Sequence, residues 1–225
     1  MDVNAVNKAR VVYYGLLSSL FSFCLGRDQF DNILKSIDVL RKNPIDEQTG
    51  SALNRMQEKL TAGGWQALKD ESDAVFYNPT AAFVPMTASF YAEQRDDGAK
   101  RREMIGYVLE SKFRRNADEF KEQEDHVEFV LFFMQQLILE ELRGDASCRI
   151  LAGKVFANIL NEMLDEFADG LVRHAESRVY TDAALVLQSF TECERLFLDI
   201  AGPVRKKQDA CRPSDRAEIL SGGRA

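Results

Sequence analysis

The run Val127–Ile138, "VEFVLFFMQQLI", constrains the fold more than any other stretch of the chain. Wound into a helix, its side chains Phe129, Val130, Leu131, Phe132, Phe133, Met134, Leu137 and Ile138 point in nearly every direction. A helix that is apolar all round has to be enclosed by other elements. The run therefore predicts a central helix, and the rest of the chain must supply the layer around it. At 225 residues the chain is long enough to do so as one domain with a sizeable core.

The flanking sequence offers helices and little else. No Asn-Gly or Asp-Gly pair sits between alternating runs, and the five prolines lie at helix borders or near the C-terminal end. Helical spacing predicts elements over Asn4–Leu25, Gln29–Arg41 and Glu47–Leu60, the last stopped by Thr61-Ala62-Gly63-Gly64. A short piece over Trp65–Val75 follows, then a turn at Phe76-Tyr77-Asn78-Pro79. Thr80–Gln94 reads as partly helical, interrupted near Pro85. Further helices are expected over Glu103–Arg115, from Val127 to a stop at Arg143-Gly144-Asp145, over Ile150–Arg178 and over Tyr180–Ile200. The fold class is thus all-α, a single-domain bundle of about eight to ten helices. It should occupy residues 1–201, with a flexible tail over 202–225.

Composition excludes several functions. The net charge of -7 makes the chain a poor binder of phosphate backbones, so no nucleic-acid partner is expected. The basic clusters Arg101-Arg102, Arg114-Arg115 and Arg205-Lys206-Lys207 are dispersed and open no recognition helix. Val11–Leu25 is apolar but shorter than the roughly 20 residues a bilayer needs, and it reads as a buried first helix with no stable membrane insertion. Cys24, Cys148, Cys193 and Cys211 are widely spaced, which points to reduced thiols in a cytoplasmic protein rather than a zinc site. Only two histidines exist, His126 and His174, and neither sits in a metal-binding motif, so neither cofactor nor metal is expected.

Three features carry candidate chemistry. At the mouth of the central helix, Asp125 is placed to cap it, with Glu128 reaching back as a capping-box partner, and His126 beside it titrates near neutral pH in an unperturbed setting. Glu122, Glu124 and Asp125 form an acidic edge suited to arginines. The segment "VFYNPTAAFVPMTASFYAEQ" gathers Tyr77, Phe83, Pro85 and Tyr91, and Pro-stiffened aromatics line grooves for apolar peptides. Three readings follow: a peptide-binding chaperone, an all-α scaffold or regulator, and an enzyme built on Asp125 and His126. The enzyme reading finds no serine or cysteine nucleophile in a recognisable elbow.

The order of these pieces resembles the TorD/DmsD/NarJ family of redox-enzyme maturation chaperones. "ARVVYYGLLSSLF" looks like the family's first helix, and "FYNPTAAFVPMTASFY" is similar to its Pro-aromatic segment. "EQEDHVEFVLFFMQQL" resembles its E-P-x-D-H signature and the helix after it, with Gln123 standing where proline is frequent. "HAESRVYTDAALVLQSF" resembles the helix pair near its C-terminus. The resemblance implies a non-enzymatic chaperone that binds the twin-arginine signal peptide, and the apo-enzyme, of a molybdenum-dependent oxidoreductase, and delays Tat export until the cofactor is inserted. It implies arginine contacts at Glu122, Glu124 and Asp125, with His126 beside them in the signal-peptide site, and an apolar groove formed by Tyr77, Phe83, Pro85, Tyr91 and Phe129. It also implies a possible homodimer by domain swapping, with the hinge between Gly144 and Ser147.

Overall fold

A computed structural model describes residues 2–23, 25–78, 82–116, 118 and 120–203. The helices are α1 (Val3–Leu20), α2 (Arg27–Leu40), α3 (Glu47–Phe76), α4 (Ala88–Glu93), α5 (Ala99–Glu110) and α6 (Val127–Leu142). They continue with α7 (Ser147–Val155), a π-helical turn (Phe156–Leu160), α8 (Asn161–Arg173) and α9 (Val179–Leu198). Among the described residues no strand forms, apart from one isolated antiparallel bridge between Thr87 and His126. The tail expected over 202–225 lies outside the described residues from 204 on.

The central helix is α6. Val127, Val130, Leu131, Met134, Leu137 and Ile138 are each fully buried, as a helix apolar on all sides requires. Its main partner is α1, and α7 packs on another side. A second layer pairs α9 with α3 and α8. The two layers are pinned by a buried network. Arg10 of α1 donates two hydrogen bonds to Glu194 of α9, at 2.6 and 2.8 Å, and the Tyr14 hydroxyl donates to the same carboxylate at 2.7 Å. Arg10 also lies over the Phe197 ring, 4.5 Å from its centroid. Removing either partner of such a pair would strand a buried charge.

Several element boundaries differ from the sequence reading, each for a local reason. α1 ends at Leu20 rather than Leu25, because the chain turns so that the Phe23 N–H donates to the Glu128 carboxylate and Trp65 donates to the Leu25 carbonyl. The glycine pair expected to stop the third helix kinks it instead. Gly64 takes φ 71°, and helix resumes through Phe76. α5 begins at Ala99 and ends at Glu110, earlier than Glu103–Arg115. The long helix expected over Ile150–Arg178 starts at Ser147, is interrupted by the π turn and stops at Arg173. The π turn is where the Asn158 carbonyl accepts a hydrogen bond from Lys100 at 2.6 Å.

Candidate functional site

The segment Ala82–Tyr91 organises the site. Its first half, 82–86, is non-helical and its second half is α4. Four ties hold it. The Val84 N–H donates to the Val75 carbonyl at 2.9 Å, fastening it to α3. The Val127 N–H donates to Met86 at 2.8 Å, and the Ala88 N–H donates to the Asp125 carbonyl at 3.0 Å, fastening it to the mouth of α6. His174, just past α8, meets the Ala82 carbonyl through Nε2 at 2.6 Å. A carbonyl only accepts, so Nε2 carries the proton, and Nδ1 is left to accept from the Glu176 N–H at 3.3 Å. Finally the Tyr91 hydroxyl donates to the Pro85 carbonyl at 2.8 Å, closing the segment on itself.

Burial alternates along residues 83–86. Val84 and Met86 are buried, whereas Phe83 is 53% exposed and Pro85 half-buried. Gly170 of α8 permits the close approach: a Cβ there would lie 3.2 Å from a Val84 methyl. Phe83, Pro85 and Tyr91 then form one wall of a cleft of about 920 Å³. The opposite wall is α8, presenting Glu162, Asp165, Glu166 and Asp169, with Arg173 and His174 at the Ala82 end and Lys100 also lining it.

On the other side of the segment lies the mouth of α6. Asp125 is 0% exposed and does not cap α6 as expected; the N-cap is His126, whose Nδ1 accepts from the Glu128 N–H at 3.3 Å. Asp125 instead caps α4 from a distance. Its Oδ2 accepts from the Ser89 N–H at 2.9 Å, satisfying a donor that α4 cannot satisfy within itself. Its Oδ1 has no hydrogen-bond partner among the described residues. Ser89 extends the joint, its hydroxyl oxygen accepting from Gly98 N–H at 3.0 Å and Arg101 N–H at 3.3 Å.

Burial decides the protonation of this joint. It drives the His126 pKa down to about 4, against a smaller opposing pull from Asp96, so the ring is neutral at physiological pH and is not the neutral-pH switch an exposed histidine would be. Glu124 is pushed up by burial but pulled further down by Arg101, at 2.8 Å, and Arg115, at 3.2 Å. Burial raises Glu128, and Glu122 adds to the rise. Burial also raises Glu122, with Asp96 adding to it.

The predicted residues thus divide. Phe83, Pro85 and Tyr91 share the cleft. Asp125, His126 and Phe129 are buried, the last with its ring edge-on to Phe120 at 5.4 Å. Tyr77 is half-buried on the far side, donating to Met86 Sδ at 3.5 Å and meeting Phe23 edge-on at 5.2 Å. Glu122 is half-buried near Tyr77, and Glu124, also half-buried, is held by Arg101 and Arg115. The acids of α8 escaped the sequence reading. Their signal is visible in hindsight: Glu162, Asp165, Glu166 and Asp169 recur at helical spacing, opposite Met163, Phe167 and Leu171. Among the described residues no group of three His, Cys, Asp or Glu is arranged to hold a metal, and no helix is long and apolar enough to cross a membrane.

A family model for the nitrate reductase delta subunit matches residues 42–173, more than half of the chain. The chain belongs to the nitrate reductase delta subunit family. These are the NarJ/TorD-type maturation chaperones, as the resemblance implied. Both walls of the cleft fall inside the matched stretch. The fold is similar to that of a crystal structure of a proposed redox enzyme maturation protein from Archaeoglobus fulgidus. The two share a TM-score of 0.56 at 18% identity, over 81% of this chain and 93% of that one. Among curated proteins no significant sequence match is found.

Proposed function

We propose that this member of the NarJ/TorD-type family is a cytoplasmic chaperone, without catalytic activity of its own, that binds the twin-arginine signal peptide of an apo molybdoenzyme and delays its Tat export until cofactor insertion. One observation carries the reading: a cleft of about 920 Å³ sets an aromatic wall, with Phe83 53% exposed, against an acidic one. A leader peptide is cationic and then apolar, and the cleft offers the complement of each half. Phe83, Pro85 and Tyr91 take the apolar half. Asp125, His126 and Phe129 act through the segment they hold, since their side chains are buried. Tyr77, Glu122 and Glu124 brace it from the far side.

The test is calorimetry of the purified chain with a synthetic twin-arginine leader from a molybdoenzyme of the same organism. Micromolar or tighter binding, weakened by about tenfold or more in Phe83→Ala, is the expected result. Equal affinity for a scrambled peptide of the same composition would point instead to a scaffold without leader specificity.

A further inference from the structure

The cleft holds four carboxylates, and the fold has already used two of them. Glu162 is paired with Lys100 at 2.7 Å, and Asp165 with Arg195 at 3.0 Å. Lys100 is engaged further by Glu103 at 3.3 Å and by the Asn158 carbonyl. Glu166 and Asp169 remain. Among the described residues neither forms an ion pair, and Asp169 accepts only a long 3.5 Å contact from Gln188. They stand one turn apart on the same face of α8, with Cβ atoms about 5–6 Å from each other by helix geometry. The cations at the cleft lie to either side of them in the chain: Lys100 is tied to Glu162 a turn before, and Arg173 stands a turn after Asp169. The negative potential is therefore concentrated at the middle of the cleft.

The aromatic wall faces this pair. Glu166 is close enough to Tyr91 for its charge to raise the phenol pKa, after burial, which is the larger cause. Asp169 precedes Gly170, the point of contact with Val84, whose neighbour Phe83 is exposed. A carboxylate beside an accessible ring face is the setting that favours a guanidinium over an ammonium. The planar fork can donate two parallel hydrogen bonds to the carboxylate while its face stacks on the ring, and a lysine head offers neither geometry.

We infer that Glu166 and Asp169 are the residues that read the two arginines of the leader, with the apolar stretch running on toward Phe83. The assignment rests on the proposed leader binding and goes beyond it by naming the specificity-determining pair. It accounts for the otherwise unused charge of α8, and it leaves the acids around Glu124 as parts of the framework.

The experiment measures affinities of the full chain for a twin-arginine leader and for the same leader with both arginines replaced by lysine. Wild type should prefer the arginine peptide by about tenfold or more. The double variant Glu166→Gln/Asp169→Asn should bind the arginine peptide about tenfold more weakly and favour neither peptide, with a shallower salt dependence. Its thermal melting should match wild type, because neither side chain is in an ion pair. Glu162→Gln, which alters an acid already paired, should keep the preference for arginine. A double variant that retains the wild-type preference overturns the assignment while leaving leader binding intact, as does loss of the preference in Glu162→Gln alone. A wild type that binds neither peptide overturns the proposed function itself, and the assignment with it.

Discussion

Two acidic regions flank the segment Ala82–Tyr91, and they use their charge in opposite ways. At the mouth of α6, Glu124 is held by Arg101 and Arg115, Asp125 caps α4 with no exposure at all, and Glu128 accepts the Phe23 N–H. Across the segment, Glu166 and Asp169 of α8 have no ion-pair partner among the described residues. Similar residue types thus serve as joinery on one side and stand available on the other. Carboxylates consumed by the fold fix geometry; those left over are the ones a cationic ligand can meet.

The sharpest way to break this contrast is Asp125→Ala. If the joint is structural, the buried Ser89 N–H of α4 loses its acceptor and the protein loses about 2–3 kcal/mol, read by denaturant unfolding. Unchanged stability with lost leader binding would place Asp125 on the ligand side instead. Next is the pH response of His126. Its folded pKa of about 4 lies below its ordinary 6.5, so between those values the unfolded chain takes up a proton that the folded chain does not. Stability should fall as pH drops through that window, by about 2 kcal/mol between pH 6.5 and 4.5 from this ring alone. His126→Asn, which can still cap α6, should flatten that part of the profile.

Gly170→Val probes the contact between the two walls. The added side chain meets Val84, and a cost of about 1–2 kcal/mol is expected. Faster hydrogen exchange at the Val84 amide would show the segment lifting from α8. The smallest effect is expected for Glu122→Gln. The raised pKa of Glu122 means that its ionised form is disfavoured in the folded chain, so stability is lost as pH rises through the folded pKa. Neutralising it should lift the melting temperature slightly at pH 7, and the difference should vanish below about pH 4.5, where the unperturbed group is protonated. A lowered melting temperature would mean that Glu122 has an attractive partner after all.

Much of this was legible in the chain. The all-round apolar run predicted α6 at the centre, since no tertiary information is needed to see that such a helix cannot be peripheral. The start of α3 at Glu47 is likewise local, since Asp46 before it accepts from the Thr49 N–H at 2.6 Å, whereas α2 starts at Arg27 rather than Gln29. Of the groove residues expected from the sequence, Phe83, Pro85 and Tyr91 line one cleft, whereas Tyr77 and Phe129 do not. What escaped is what depends on distant partners. Asp125 precedes a helix and reads as its cap, yet it serves one that begins 37 residues earlier, at Ala88. The split between paired and unpaired acids on α8 rests on Lys100 and Arg195, which nothing in "NEMLDEFADGLVR" announces.

The bond between Arg10 and Glu194 joins residues 184 positions apart. At about 5–20 residues per second, a ribosome needs roughly 10–40 s to travel that far. Throughout that interval α1 has no counter-charge for its arginine and no mate for the Tyr14 hydroxyl, and it cannot settle in the interior. A nascent chain stalled before Glu194 should therefore leave α1 open to protease, and one stalled well past it should not. A protein proposed to shelter the unfinished leader of another is itself unfinished until nearly all of its described helices have been made.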